Sequence, residues 1–253
     1  EELYQHYSRF NNTFGRPSRE IQNKPNKVVS DFTKLKIGYV SPDFRQHSIT
    51  NLLEPILAHH NRDQFELFAY AEIRKEDDYT QKYKEYFDHW VPTNHLSDRE
   101  LAHKIQEHEI HILVDLAGHT RGNRLVTFAY KPAPVSASWL GYGYTTGLSA
   151  IDYYITNNTM APKGTEHLFS EKLWRLNDSA FTCYRPATGM GEVGALPALT
   201  NGYITFGTLT RMIRLNKNVI RTWAKILRKV KNSKLIINSG DFKTEESKSH
   251  LIH

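Results

Sequence analysis

Residues 36–72 read KIGYVSPDFRQHSITNLLEPILAHHNRDQFELFAYAE, and this stretch decides the fold. Apolar runs at residues 36–40 and 65–72 are each short enough for a buried strand, and the apolar residues of 49–60 recur at helical spacing. A strand, a helix and a second strand in this order are typical of a parallel βαβ unit.

Two local signals predict where helices begin. Pro55 has no amide proton and fits best in a first helical turn, so we expect a helix to start near residues 49–51. Ser97 and Glu100 have the spacing of a capping box, in which each side chain accepts a hydrogen bond from the other residue's amide. A second helix is therefore predicted to begin after Ser97.

The alternation of strands and helices continues along the chain. We predict a helical stretch at residues 79–89 and further strands at 110–116, 135–140, 152–156 and 172–176. Near-continuous apolar strands that alternate with helices indicate a parallel sheet covered on both faces. Residues 34–185 are therefore predicted to form one complete doubly wound, Rossmann-like α/β domain.

Three segments flank this domain. Residues 1–33 predict a short helical segment and a polar connector, and residues 186–202, rich in Gly, Ala and Pro, predict a linker. Residues 203–253 begin a second Rossmann-like domain with its first βαβ unit, at 203–206, 219–230 and 234–238. Because the chain lacks an initiator methionine and stops after this unit, we expect a piece of a longer protein that is inactive alone.

The composition excludes several classes of protein. With 39% hydrophobic and 24% charged residues, the chain is neither fibrous nor disordered. No apolar run approaches the ~18 residues of a membrane-spanning helix, which predicts no membrane partner. Cys183 is the single cysteine, so an intramolecular disulfide and a multi-cysteine metal site are excluded. These features favour a cytoplasmic location.

Positive charge is concentrated near the end of the chain. Between Val193 and Gly240 there is no acidic residue, but there are nine cations: Arg211, Arg214, Lys217, Arg221, Lys225, Arg228, Lys229, Lys231 and Lys234. The whole chain carries a net charge of +6, so the rest of it is net negative. This segment predicts an anionic partner, either a nucleic acid or a small phosphate compound, and a solvated helix face is the alternative.

Open parallel sheets bind ligands in the loops beyond the carboxyl ends of their strands. The loops concerned follow Val40, Leu116, Leu140 and Phe206. His47 lies in the first of them, just before a predicted helix start. The helix dipole opposes a positive charge there, which favours a neutral imidazole that can act as a base. The alternative is a surface histidine with no role.

The other three loops also carry candidates. Asp115 and His119 flank a glycine turn, where Asp115 either orients a reacting group or, as we favour, caps the loop. Residues 139–147, WLGYGYTTG, would allow a ligand to approach the backbone closely and to stack on a ring. Arg211 and Arg214 precede the basic helix, where cations and helix amides could cradle a diphosphate, although solvated arginines are the alternative.

The remaining chemical motifs are weak. His103, His108 and His111 lack the i, i+4 spacing of a helical metal pair, so we expect no metal site. The acidic run at residues 76–78 is expected to be a solvated loop. The sequence contains no Walker loop, no GxGxxG after a strand and no GxSxG elbow.

Four stretches carry a resemblance to a known family: IGYVSPDFRQHS, IHILVDLAGHTRGNRL, KPAPVSASWLGYGYTTGLSAIDYYIT and NGYITFGTLTRMIRLNKNVIRTWAKILRKVKNS. In this order, across residues 34–240, they resemble the catalytic region of the O-linked N-acetylglucosamine transferase and SPINDLY family, glycosyltransferase family 41. The resemblance implies a GT-B fold of two facing Rossmann-like domains, often preceded by tetratricopeptide repeats. Residues 1–20 would then be the end of that repeat region. It also implies inverting, metal-independent transfer of a sugar to Ser or Thr of proteins.

The resemblance also assigns residues. His47 falls on the family's active-site histidine, and Arg211 falls on a Gln or Asn that lines the nucleotide site. Arg214 falls where the family usually has a lysine at the donor diphosphate, and arginine keeps the charge but changes its reach. The cleft-lining positions would be His119, Thr120, Tyr142, Thr145, Thr146 and Gly147. GYGYTTG replaces the more usual GYPxTTG.

The sequence thus predicts a protein O-glycosyltransferase with a nucleotide-sugar donor, protein or peptide acceptors and no cofactor or metal. The donor sugar, N-acetylglucosamine, fucose or another, is left open. One alternative is a non-catalytic binding module with the same fold, which Arg214 would favour. The other is a nucleic-acid-binding protein that uses the basic helix 217–231, but Trp223 falls on the apolar face of that helix, so the exposed aromatics of single-strand binders are missing.

Overall fold

The computed structural model describes residues 1–15, 34–177, 189 and 191–242, so Cys183 and most of the predicted connector at 16–33 lie outside the described residues. The chain divides into two compact units, Glu1–Pro186 and Ala187–His253. This division lies beside the boundary predicted between residues 185 and 186. Each unit has its own parallel sheet.

The first unit contains a seven-stranded sheet within its described residues. Its strands are β1 (Leu35–Ser41), β2 (Phe65–Ala71), β3 (His89–Pro92), β4 (Ile112–Asp115), β5 (Val135–Ser138), β6 (Tyr153–Asn157) and β7 (Lys172–Leu176). They pair in the order β3-β2-β1-β4-β5-β6-β7, and every pair is parallel. The chain runs outward in both directions from β1 and β4, the kind of switch point at which such sheets bind ligands.

Helices cover both faces of this sheet. They are α1 (Glu2–Phe14), α2 (Thr50–Ala58), α3 (Asp78–Tyr86), α4 (Asp98–Glu107) and α5 (Leu125–Ala129). On one face, Leu53 of α2 and Tyr83 of α3 are buried in an apolar cluster with β1 and β2. On the other face, Leu101 of α4 and Phe128 of α5 are buried in a second cluster. This arrangement confirms the predicted doubly wound α/β fold.

Both predicted helix starts are correct, but Pro55 does not lie where it was expected. Ser97 caps α4, and Glu100 accepts a hydrogen bond from the Ser97 amide at 2.7 Å, as the capping box predicts. Pro55 lies inside α2, in its second turn rather than its first. The reason is the loop after β1, which fixes Thr50 at the helix start through hydrogen bonds to the carbonyl groups of His47 and Arg45.

The acidic run at residues 76–78 lies at the surface, as predicted, with Glu76 and Asp78 exposed, but it also caps a helix, which was not predicted. Asp77 is the N-cap of α3 and forms a capping box with Thr80. Glu76, just before α3, forms an ion pair at 2.6 Å with Lys84 in the last turn of that helix. The run therefore starts a helix. Strand β3 and the short helix α5 were also missed, because neither has a recognisable period in so few residues.

The second unit is a single βαβ unit in its described part. It contains α6 (Pro197–Asn201), β8 (Ile204–Leu209), α7 (Lys217–Lys229) and β9 (Ser233–Asn238), with β8 and β9 parallel. The strand, helix and strand predicted there are confirmed. Helix α6 lies in the segment predicted as a structureless linker, because Pro197 suits a first helical turn and Gly202, at φ 72°, ends it.

The apolar side chains of this second unit remain accessible. None of its described side chains is buried, and Leu209 and Ile213 are more than four-fifths exposed. Trp223 and Leu227 of α7 instead line an open apolar pocket of about 250 Å³ with Phe206 and Leu235 of the strands. One helix on two strands cannot enclose a core by itself.

Candidate active site

His47 lies in the loop after β1, at the switch-point edge of the sheet. Its side chain is 38% exposed, and its Nδ1 lies 3.7 Å from Oδ2 of the buried Asp43. The amide of Ile49 donates to the same Nδ1 at 3.4 Å. Within the described residues Nε2 makes no hydrogen bond. The ring is therefore held by one edge, while its other nitrogen is available to a ligand.

The loop that carries His47 is braced on several sides. The Asp43 amide donates to the Ser41 hydroxyl at 3.0 Å, and Arg45 donates to Asp43 Oδ1 at 3.2 Å. The Gln46 amide donates to the Asp77 carboxylate at 2.8 Å and holds the pKa of that carboxyl below its usual range. Because the start of α3 anchors the loop, His47 is positioned by the scaffold rather than by its own flexible side chain.

Asp115 caps the loop after β4, as favoured from the sequence. Its carboxylate accepts hydrogen bonds from the amides of Ala117 and Gly118 and from the Ser138 hydroxyl, at 2.7–3.0 Å. The side chain is buried, and burial raises its pKa. All contacts of this carboxylate are internal, which supports a structural role in holding β4, β5 and the intervening turn together.

His119 lies where the loops after β4 and β5 meet. Its Nε2 donates to the backbone oxygen of Thr146 at 2.7 Å. Its half-buried ring contacts the rings of Tyr7, Phe10 and Tyr142, with centroids 4.9, 5.1 and 5.8 Å away. The structure thus brings together His119, Tyr142 and Thr146, three of the predicted cleft-lining residues. Their contact with a ligand stays a prediction.

Thr145 and Thr146 are fully buried and bind Glu171, a residue that was not predicted to belong to the site. Thr145 Oγ1 donates to Glu171 Oε2 at 2.7 Å, and the Thr146 amide donates to Oε1 at 2.8 Å. The Thr146 hydroxyl also donates to Oε1. In this structure both threonines hold their loop in place. Glu171 immediately precedes β7 and follows Thr146 by 25 residues in the chain, so no local sequence pattern links it to this loop.

Glycines in this region accommodate the protein's own backbone. A Cβ at Gly141 would overlap the carbonyl group of Leu116, and one at Gly147, where φ is +71°, would overlap the carbonyl of Tyr7. These two glycines therefore allow loop–loop and loop–helix packing, whereas the sequence pattern predicted close approach of a ligand. Thr120, also predicted to line the cleft, donates to the Ala117 carbonyl within the preceding turn at 2.9 Å.

Helix α1 packs on these loops through one apolar edge. The Tyr7 and Tyr142 hydroxyls are hydrogen bonded, and burial together with this bond raises the pKa of Tyr7 to about 12. The Asn11 side chain accepts hydrogen bonds from the amide and hydroxyl of Ser149 at 3.0 and 2.8 Å. Residues 1–15 are thus bound to the β4–β5 part of the carboxyl edge.

Arg211 and Arg214 lie in the second unit, just before α7. Both are exposed and make no ion pair within the described residues. The Asn216 side chain caps α7 by accepting from the amides of Asn218 and Val219 at 3.0 and 3.1 Å. Those two amides, which were predicted to bind a phosphate, are therefore already hydrogen bonded. The two arginines remain as the groups that could bind an anion.

Two of the three histidines considered for a metal site, His108 and His111, have structural partners. His108 Nδ1 is hydrogen bonded to the Tyr70 hydroxyl at 2.9 Å, and His111 Nδ1 accepts from the Lys36 amide at the same distance. Over residues 1–15, 34–177, 189 and 191–242, no group of three His, Cys, Asp or Glu side chains could hold a metal ion. None of the helices in those ranges is long and apolar enough to cross a membrane.

Comparison with known proteins places this chain in a family. In Oryza sativa subsp. japonica, the probable UDP-N-acetylglucosamine–peptide N-acetylglucosaminyltransferase SPINDLY is 36% identical over 96% of this chain, and its Arabidopsis thaliana counterpart is 37% identical over 82%. The chain spans about a quarter of the length of both proteins, 26% and 23%.

The fold has a close match among solved structures. An O-GlcNAc transferase of Thermobaculum terrenum, solved as a point mutant, superposes with a TM-score of 0.84 at 28% identity, over 98% of this chain and 47% of that one. The sequence profile of glycosyl transferase family 41 matches residues 18–185, which include the loops of His47, His119 and Thr146. The chain belongs to glycosyl transferase family 41.

Proposed function

We propose that this chain is part of the catalytic region of a protein O-glycosyltransferase that moves N-acetylglucosamine from UDP-N-acetylglucosamine to Ser or Thr hydroxyls of proteins. The names of the relatives support the donor and the protein acceptor. The observation that carries the proposal is the His47 loop, in which a buried carboxylate holds one edge of an accessible imidazole. This is the arrangement a general base requires.

The proposed reaction is a single displacement. For the transfer, the His47 ring exchanges the hydrogen bond that Nδ1 accepts from the Ile49 amide for one that Nδ1 donates to Asp43. The neutral imidazole then carries its proton on Nδ1, and the unshared pair on Nε2 accepts the proton of the acceptor hydroxyl. The hydroxyl oxygen forms a bond to the anomeric carbon as the bond from that carbon to the diphosphate breaks, which inverts the configuration. The Asp43 carboxylate then stabilises the imidazolium, because it lies 3.7 Å from Nδ1.

The leaving diphosphate must be stabilised as its negative charge grows. We assign this role to Arg211 and Arg214, which carry unpaired positive charges within the described residues. Guanidinium groups bind phosphate oxygens through two parallel hydrogen bonds and stay charged at any physiological pH. Fixed cations of this kind can replace a divalent metal in stabilising the leaving group, so the proposed transfer is metal-independent.

A nucleic-acid-binding function has less support. Trp223, the aromatic residue of the basic helix, lines the apolar pocket under α7 and is not displayed for base stacking. A catalytically silent binding module keeps the same fold and differs only in turnover.

The test is a transfer assay with the full-length gene product. A peptide library containing Ser and Thr is incubated with UDP-N-acetylglucosamine, GDP-fucose or UDP-glucose, each with and without EDTA, and analysed by mass spectrometry. We expect added N-acetylhexosamine on Ser or Thr only with the first donor, unaffected by EDTA. Binding of a donor without any transfer would favour the silent module, and transfer from GDP-fucose alone would correct the donor.

A further inference from the structure

An open pocket of about 720 Å³ lies at the carboxyl ends of β1, β2 and β4, beside the His47 loop. Its walls come from the loops that follow these three strands. Residues of both charge signs line it: Arg45, Glu72, Arg74, Lys75, Glu76, Asp77 and Arg121. We refer to it as the cationic pocket, because most of its carboxylates are ion-paired with residues outside it, whereas most of its cations have no ion-pair partner among the described residues.

The three carboxylates of the cationic pocket are all bonded inside the protein, two of them to cations. Glu72 accepts from Arg124 at 2.7 Å and from Thr93 at 2.8 Å. Glu76 pairs with Lys84. Asp77 caps α3 and accepts from the Gln46 amide. Glu72 and Glu76 thus have cation partners outside the pocket lining, whereas Asp77 is bound by neutral donors and keeps its negative charge.

Three of the four cations that line the pocket, in contrast, lack an ion-pair partner in the part of the chain that the structure describes. Arg74, Lys75 and Arg121 are exposed and make no hydrogen bond or ion pair within the described residues. Arg45 shares the single carboxylate of Asp43 with His47. The pocket therefore holds an excess of positive charge from the loops after β1, β2 and β4. Four cations face three carboxylates in this lining, and two of those carboxylates are paired with cations outside it, so the concave surface attracts and orients anions.

The position of the pocket links it to the reaction. Asp43 contacts Arg45 through Oδ1 and His47 through Oδ2, so the pocket wall and the proposed base are joined by one side chain. Helix α1 covers the β4–β5 part of the same edge through Tyr7. A chain segment whose hydroxyl reaches His47 would therefore extend over the open β1–β2 part, into the cationic pocket.

We propose that the cationic pocket is an acceptor subsite that binds an acidic or phosphorylated residue near the Ser or Thr to be modified. This inference rests on the proposed function. A peptide carboxylate and a peptide phosphate present the same chemistry, an oxyanion that guanidinium groups bind in bidentate fashion. Arg121 from the loop after β4 and Arg74 and Lys75 from the loop after β2 would approach it from two sides.

The test compares four acceptor libraries that share a central Ser or Thr and differ at one fixed flanking position, which is Glu, phosphoserine, Gln or Lys. The full-length gene product is supplied with saturating UDP-N-acetylglucosamine, and kcat/KM is measured for each library. We expect the Glu or phosphoserine library to exceed Gln by about tenfold or more, the effect of one charge-assisted contact, and Lys to be poorest. The Glu and phosphoserine arms distinguish the two sources of the anion.

Variants then assign the preference to the pocket. Replacing Arg74, Lys75 and Arg121 together with Gln should bring the Glu/Gln ratio of kcat/KM close to one. A control with Gln at three exposed lysines outside the pocket, Lys34, Lys163 and Lys172, should keep the ratio of the unaltered protein. Arg121→Glu alone, a smaller disturbance of the fold, should reverse the order of the Glu and Lys libraries.

Two results would overturn the inference while leaving the proposed function intact. The first is equal transfer to all four libraries by the unaltered protein. The second is a triple variant that raises KM for the donor and keeps the Glu/Gln ratio, because the pocket would then serve the donor. Transfer to none of the libraries would overturn the proposed function itself, and with it the subsite.

Discussion

Asp43 Oδ2 lies 3.7 Å from His47 Nδ1, and the two residues are four positions apart in the loop after β1. The carboxylate is buried and anchored by Arg45, whereas the imidazole is exposed. A fixed negative charge beside an exposed ring favours the orientation and the tautomer in which Nδ1–H faces the carboxylate. Asp43 is therefore a positioning residue for the proposed base.

Asp43→Asn is expected to lower kcat by about tenfold to a hundredfold and to leave KM for the donor within about twofold, because the amide cannot stabilise the imidazolium. Steady-state kinetics of the full-length gene product with a peptide acceptor measure both constants. Asp63→Asn, at an exposed position remote from the loop, is the matched control. A loss that appears mainly in KM would contradict the positioning role.

Arg214→Ala is expected to weaken binding of the donor's nucleoside diphosphate by about tenfold to a hundredfold, since it removes a charge-assisted contact worth ~1.5–3 kcal/mol. Arg214→Lys should recover part of this, because lysine keeps the charge but loses the bidentate fork. Calorimetric titration of UDP and of GDP measures the affinities.

Arg221→Ala on α7 removes an equal charge from the same basic segment and serves as the control. Its effect should be small if Arg214 acts as a specific ligand. Equal losses in both variants would mean that the segment attracts nucleotides only through its overall charge, and no loss in either would leave Arg214 a solvated arginine.

Glu171→Ala is expected to loosen residues 141–148, because two buried threonine hydroxyls and the Thr146 amide lose their acceptor. Leaving buried donors unpaired costs about 1–3 kcal/mol each. Hydrogen exchange followed by mass spectrometry should show about tenfold or more faster exchange in this loop. Glu166→Ala, an exposed acid in the same connection, should leave the loop protected; equal protection in both variants would show that Glu171 does not hold it.

Tyr7→Ala is expected to release helix α1 from the loops after β4 and β5, since Tyr7 contacts His119, Tyr142 and Tyr144. Faster hydrogen exchange throughout residues 2–14 would report this. Tyr7→Phe keeps the ring contacts and should have a smaller effect. Leu3→Ala, at a side chain that is 58% exposed, is the control; if it frees the helix as much as Tyr7→Ala does, the ring contacts are not what docks α1.

The sequence was sufficient for those features that depend on neighbours in the chain. Strand positions follow from short apolar runs, and the start of α4 follows from Ser97 and Glu100. Asp115 is similar, since it caps amides two and three residues ahead of it. Local geometry fixes all of these, so a single sequence reveals them.

Features that depend on the fold could not be predicted. Glu171 meets Thr145 and Thr146 only because β7 lies beside β6 and the loop after β5 returns over it. Asp77 holds the His47 loop because β1 and β2 are adjacent in the sheet. Gly147 looked like a ligand contact in the sequence, but the structure shows that α1 occupies the adjacent space.

The most direct test of the account is the rate of N-acetylglucosamine transfer by His47→Ala in the full-length gene product. General base catalysis contributes about 10²–10⁴-fold, so kcat should fall by that factor with little change in donor affinity. His103→Ala, at an exposed histidine of α4, should keep the original rate. A transfer rate for His47→Ala equal to that of the unaltered protein would contradict the assignment of His47 as the base.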